Sequence, residues 1–146
     1  VNIGKQIREL RWRYASLRPL RHGRRIVAIV LTIPGVKGGG SKARVYYRVL
    51  IDLRGFPYTN EPPVAWILYP PDKEICHLNI YKPKFFELLG RELPRICYGE
   101  FEDTWRELPT SKRTLYYLVS QIEYILNNEN PDSPVPYRKR LCGYDC

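Results

Sequence analysis

Four cysteines and two histidines are the side chains in this 146-residue chain best suited to covalent or proton-transfer chemistry at neutral pH. Thiolate is the strongest side-chain nucleophile available there, so the cysteines come first. Cys76 adjoins His77, but neighbours on an extended segment point to opposite sides, and adjacency does not make a nucleophile and base pair. Cys97 is the better candidate. It lies in Ile96-Cys97-Tyr98-Gly99, followed by the acids Glu100, Glu102 and Asp103 and then Trp105. The competing reading of a lone cysteine is a small buried hydrophobe. His22, inside Arg21-His22-Gly23-Arg24-Arg25, reads as solvated and supplies no base for papain-like hydrolysis. No H-E-x-x-H and no C-x-x-C pair occurs, so neither a metal site nor a cofactor is expected. Cys142 and Cys146 could form a disulfide, join a metal site with Cys76 and His77, or stay free; free thiols in a reducing cytoplasm are the default.

The elements that must position Cys97 follow from periodicity. Ile3, Ile7, Leu10, Tyr14 and Leu17 recur at helical spacing, with Asn2 as N-cap and Pro19 as the stop. Arg25 to Thr32 and Val45 to Leu53 read as strands, joined through Gly38-Gly39-Gly40-Ser41 into a hairpin with a loose tip. The prolines of Phe56 to Pro63 exclude a helix, and Val64 to Tyr69 is a third strand. Pro70 to Arg95 alternates little and reads as a long structured loop, in which Phe85 to Leu89 before Gly90 have the spacing of a short helix. From Thr110 or Ser111, the apolar positions Leu115, Leu118, Val119, Ile122, Ile125 and Leu126 define a second helix ending at Asn127-Asn128. A proline-rich tail follows. No repeat and no linker interrupts this order, so residues 1–146 are expected to form one α+β domain: N-terminal helix, antiparallel β-meander, long loop, C-terminal helix and tail.

Five motifs stand in register along those elements. Tyr58 precedes Pro62-Pro63-Val64; then come His77-Leu78-Asn79-Ile80, Ile96-Cys97, Trp105 eight residues after the cysteine, and Asn130-Pro131-Asp132-Ser133-Pro134-Val135-Pro136. Each alone is unspecific, but in this order, between two helices, they resemble the ubiquitin-conjugating enzyme family over most of residues 3–136. The resemblance implies a transferase whose Cys97 accepts ubiquitin or a ubiquitin-like protein as a thioester from an activating enzyme. It then passes the modifier to a protein lysine or a ligase. Asn79 would stabilise the oxyanion formed when an amine attacks, or hold the active-site loop in shape; His77 would be structural. Ser133, with Asp132 beside it, matches the position from which the family helps activate the amine. Two departures stand out. Leu78 replaces the motif proline, and the 17 residues between Asn79 and Cys97 exceed the family's usual spacing. Such divergence looks like a prokaryotic relative.

The formal charge of +9 is uneven: residues 1–50 carry 12 Lys/Arg and one acid, Glu9, whereas residues 51–146 carry 12 Lys/Arg against 14 acids. A basic segment of this kind docks an acidic protein surface, binds nucleic acid through counterion release, or is a solvated face. The resemblance assigns the first helix, with Lys5, Arg8, Arg11 and Arg13, to the activating enzyme, and Tyr58, Pro62, Pro63, Trp105 and Pro109 to a RING-type ligase. Nucleic acid becomes the minority partner. The longest aliphatic run, Ile26 to Leu31, is far short of the roughly 20 residues of a membrane-spanning helix, and no secretory signal pattern opens the chain, so no membrane partner is expected. A catalytically silent binding module of the same fold is the alternative function, and a basic nucleic-acid-binding domain a third.

Overall fold

The computed structural model describes residues 2–141. Helix α1 spans Ile3–Arg11, and the Asn2 side chain caps it by accepting the Lys5 N–H at 2.9 Å. It stops well before Pro19. Tyr14 and Leu17 still reach the core, but from the turn that leads into β1. Strands β1 (Arg18–His22), β2 (Arg25–Gly38), β3 (Ser41–Asp52), β4 (Ala65–Tyr69), β5 (Ile80–Phe86) and β6 (Arg91–Ile96) form one antiparallel sheet in the order β1-β2-β3-β4-β6-β5. Helices α2 (Phe101–Glu107), α3 (Leu115–Asn127) and α4 (Pro136–Leu141) complete the α+β fold.

The sheet buries apolar side chains on both faces. Ile29, Leu31 and Ile33 of β2 and Tyr47, Val49 and Ile51 of β3 face α1, α2 and α3, where Leu118, Val119, Ile122 and Trp105 are fully buried. The alternate positions Ala28, Val30 and Leu50 face outward and form a second cluster with Trp66, Phe86 and Leu93. The latter two come from the β5–β6 hairpin, so this hairpin both extends the sheet and covers its outer face.

The hairpin corrects the long-loop expectation for residues 70–95. Apolar pairs at Phe85-Phe86 and Leu88-Leu89 mimic helical spacing, yet Phe86 stacks on Trp66 with ring centroids 4.4 Å apart. Gly90, at φ 65°, closes the turn instead of ending a helix. Arg54 then ties the turn down, pairing with Asp52 at 2.8 Å and Glu87 at 3.0 Å. Strand β1 also escaped the reading of periodicity, because an edge strand tolerates a proline and the exposed cations Arg18 and Arg21. Helix α3 begins at Leu115 with Thr114 as its cap, and residues 110–112 form a separate 3₁₀ turn. Helices α2 and α4 occupy segments expected to be irregular.

Two further corrections concern the hairpin tip and the cysteines. Gly39 and Gly40, both at positive φ, make a two-residue turn, and their N–H groups donate to the Glu129 carboxylate at 2.7 and 3.2 Å. The tip is therefore held, not loose. Cys76 is disulfide-bonded, whereas Cys97 is a free thiol. Cys142 and Cys146 lie outside the described residues. Among the described residues, no helix is long and apolar enough to cross a membrane.

Gly38 and Gly23 both sit at positive φ, but their surroundings differ. A Cβ at Gly23 would meet open space, whereas one at Gly38 would overlap the His77 backbone and the Glu129 carboxylate. Urea unfolding should show Gly23→Ala costing about 1 kcal/mol from backbone strain alone. Gly38→Ala should cost about 3 kcal/mol, because overpacking adds to that strain. Equal costs would contradict the tight seat of the tip against His77.

Candidate active site

Cys97 follows β6 directly and is half-buried. Its N–H donates to the Asn79 carbonyl at 2.9 Å, which fixes the thiol-bearing residue beside the His77-Leu78-Asn79 segment. The Asn79 side chain is buried and fully engaged. Its Oδ1 accepts the Asn130 N–H at 2.7 Å, while Nδ2 donates to the Asn130 and Ser133 carbonyls, each at 3.2 Å. One amide thus joins the segment before β5 to the loop after α3.

His77 supports that clamp from below. It is fully buried; its Nδ1 accepts the Asn79 N–H at 3.2 Å, so Nε2 carries the proton and donates to the Ile125 carbonyl at 3.1 Å. Burial pushes the imidazole pKa below its ordinary value, against an opposing pull from Glu129. A neutral ring in one tautomer suits a positioning role.

Leu78 has a physical reason to stand where the resembled family has proline. Its N–H, which proline would lack, donates to Glu129 Oε2 at 2.8 Å, and its carbonyl accepts the Val135 N–H at 2.9 Å. Glu129 therefore gathers donors from Leu78, Gly39 and Gly40, locking the β2–β3 tip to the site. Reading the sequence missed Glu129, because a single acid between two asparagines carries no pattern. It also missed Arg138. This fully buried guanidinium on α4 donates to the Ile80 carbonyl at 2.7 Å and the Tyr81 carbonyl at 2.9 Å, and pairs with Asp72.

The bracing matters because Tyr81 is the aromatic neighbour of the nucleophile. Its hydroxyl lies beside the Cys97 side chain; interaction with that thiol and partial burial push the phenol up to about 12. Arg95, its cross-strand partner, lies over the Tyr81 ring at 5.0 Å. Tyr81 left no signal of its own, because it stands at the start of β5 in a segment that reads as a loop.

A groove of about 380 Å³ opens at Cys97, with Asn79, Glu100, Gln121, Tyr124 and Ser133 among its walls. Ser133 and Cys97 therefore share one cleft. Asp132 is exposed and outside that lining, and Asp103 is engaged by Arg106 at 2.8 Å. The remaining sequence-derived residues fall elsewhere. Lys5, Arg8, Arg11 and Arg13 are exposed, with Arg13 paired to Glu123 at 2.6 Å. Tyr58 and Pro109 are exposed, whereas Pro62, Pro63 and Trp105 are buried. Their segments do meet. Buried Arg113 donates to the Pro57 and Thr59 carbonyls on one side and to the Trp105 and Arg106 carbonyls on the other. Among the described residues, no group of three His, Cys, Asp or Glu side chains is placed to hold a metal ion. No family model matches the chain, and neither a curated protein nor a solved structure matches it.

The His77 geometry sets a pH dependence. The unfolded chain takes up a proton at this imidazole near pH 6.5, the ordinary value, while the folded ring resists it. Below that pH the unfolded state binds more protons, so stability falls as pH falls. The urea midpoint should drop between pH 7 and about 5.5, with the His77 ring resonances still those of the neutral Nε2–H form at about pH 6. An imidazolium signal there, or stability rising on acidification, would contradict the assignment.

Proposed function

We propose that this protein is a ubiquitin-conjugating-type carrier with the corresponding fold: Cys97 accepts ubiquitin or a ubiquitin-like protein and hands it on. The observation that carries the reading is the shared groove, in which a free, half-buried cysteine sits against an asparagine-clamped loop ending in Ser133. An open cleft suits an extended, small-residue chain terminus.

In the proposed reaction the Cys97 thiolate attacks the carbonyl carbon of a thioester held by an activating enzyme. A new C–S bond forms, the old one breaks, and the departing sulfur leaves as thiolate. An uncharged lysine amine then attacks the same carbon, a C–N bond replaces the C–S bond, and the proton shed by the nitrogen passes to the departing Cys97 sulfur or to solvent. Two positive features assist these steps. The Tyr81 hydroxyl lies beside the Cys97 side chain and is suited to stabilising the sulfur when it carries charge. The Asn79 amide fixes the loop bearing Ser133, which faces the incoming amine. The exposed cations of α1 are the docking surface for the activating enzyme, acting as rim charges that speed encounter. Tyr58 and Pro109, held together through Arg113, are the exposed part of a ligase surface. The chemistry calls for no cofactor.

Incubation with an activating enzyme, ATP and the modifier should yield an adduct on the wild-type chain that thiol reductant cleaves. Cys97→Ser should give a reductant-resistant ester and Cys97→Ala none. An adduct that survives in Cys97→Ala would sink the proposal.

A further inference from the structure

We infer that a second groove, on the outer sheet face, binds an acidic, aliphatic segment of a partner protein. It lies between the β1–β2 edge and the β5–β6 turn, and none of its lining residues is shared with the Cys97 groove. Leu20 and Val27 form one wall and Leu88 and Leu89 the other, enclosing about 470 Å³. That volume is within the usual range of ligand clefts, roughly 300–1,000 Å³.

Its rim is positive. Arg21, His22, Arg25 and Arg54 surround the aliphatic walls. Arg54 is engaged by Asp52 and Glu87, but among the described residues Arg21 and Arg25 form no ion pair. No acid occurs anywhere from Leu10 to Ile51, so nothing on the β1–β2 edge offsets them. The far wall is held in place before any partner arrives. Phe86 is stacked on Trp66, the Arg54 guanidinium lies 6.0 Å from the Phe86 ring centroid, and the Arg54–Glu87 pair fixes the turn. Leu89, on that rigid turn, keeps 39% of its surface exposed, an uncovered aliphatic side chain beside uncompensated cations.

The occupant follows from this chemistry. A concave aliphatic slot takes convex aliphatic side chains, and unpaired guanidiniums at its edge take carboxylates flanking them. A single-stranded nucleic acid would want several aromatic faces for successive bases, and the lining offers only the His22 ring. A membrane surface would want a protruding apolar face, not a cleft. The sheet insertion that separates Asn79 from Cys97 thereby gains a use: it builds half of a docking slot remote from the thiol.

The test is fluorescence anisotropy of the full chain with a fluorescein-labelled peptide of alternating Glu and Leu. Lys/Leu and Glu/Ser peptides, a single-stranded thymidine oligonucleotide and phosphatidylserine vesicles serve as comparisons. The Glu/Leu peptide should bind saturably and more weakly at higher salt. Arg21→Glu with Arg25→Glu should weaken it about tenfold or more, and Leu89→Asp comparably. These positions are exposed, and circular dichroism checks that the variants fold. Lys5→Glu with Arg8→Glu, on α1, should leave binding unchanged, as should Cys97→Ala, which separates this outcome from the fate of the carrier reading. No saturable binding of the Glu/Leu peptide would overturn the inference. So would binding indifferent to the Arg21, Arg25 and Leu89 changes, or a groove-dependent preference for the oligonucleotide or vesicles.

Discussion

The Asn79 side chain is the interaction on which the site depends. Its three hydrogen bonds to the backbone of Asn130 and Ser133 cross 51 and 54 residues of sequence and hold the stretch from Asn130 to Ser133 against the segment that enters β5. The groove at Cys97 is the space between those two segments. A buried amide earns net stability only when its donors and acceptor are satisfied, and here they are. The same accounting extends outward. His77 receives the Asn79 N–H, Ile125 receives the His77 proton, Glu129 holds Leu78 to the β2–β3 tip, and Arg138 holds β5 to α4. Polar groups placed at the junction of strand, hairpin and helix give the thiol a defined setting that apolar packing alone would leave loose.

The fold also separates the positive charge into distinct surfaces. The N-terminal third looked like one basic block along the sequence, but the strand alternation and the turn after α1 divide it. Lys5, Arg8 and Arg11 lie on the exposed side of α1, opposite Ile7 and Leu10. Arg21 and Arg25 stand at the β1–β2 edge beside the inserted hairpin, and Lys42 and Arg44 project near the β2–β3 tip. None of these cations lines the Cys97 groove, so docking, not catalysis, is the work their positions suit.

Legibility in the sequence followed physical cause. Strong periodicity with a capping side chain made α1 and α3 readable, since Asn2 and Thr114 cap them and Ile7, Leu10, Leu118 and Ile122 supply the buried stripe. The helix boundaries moved where tertiary packing ended them. Elements whose residues answer to both faces of the sheet were hidden: β5 and β6 must cover Trp66 outside while placing Ile80 and Ile96 inside, which erases simple alternation. At the site, Cys97, Asn79 and Ser133 were found from motif order and do share the groove. Glu129, Arg113 and Arg138 were not, because a buried or half-buried charge that binds backbone carbonyls or N–H groups across the fold leaves no local signature.

The central claim is that Cys97 makes and breaks the bond while the Asn79 clamp shapes the site for attack on it. Single-turnover discharge separates these roles: load the wild-type and Asn79→Ala proteins with the modifier, quench the activating step, add free lysine and follow loss of the thioester. The account predicts comparable loading and discharge slower by about 10²-fold in Asn79→Ala, the order of a reacting group displaced by about an ångström. Discharge at the wild-type rate from a folded, fully loaded Asn79→Ala protein would contradict it.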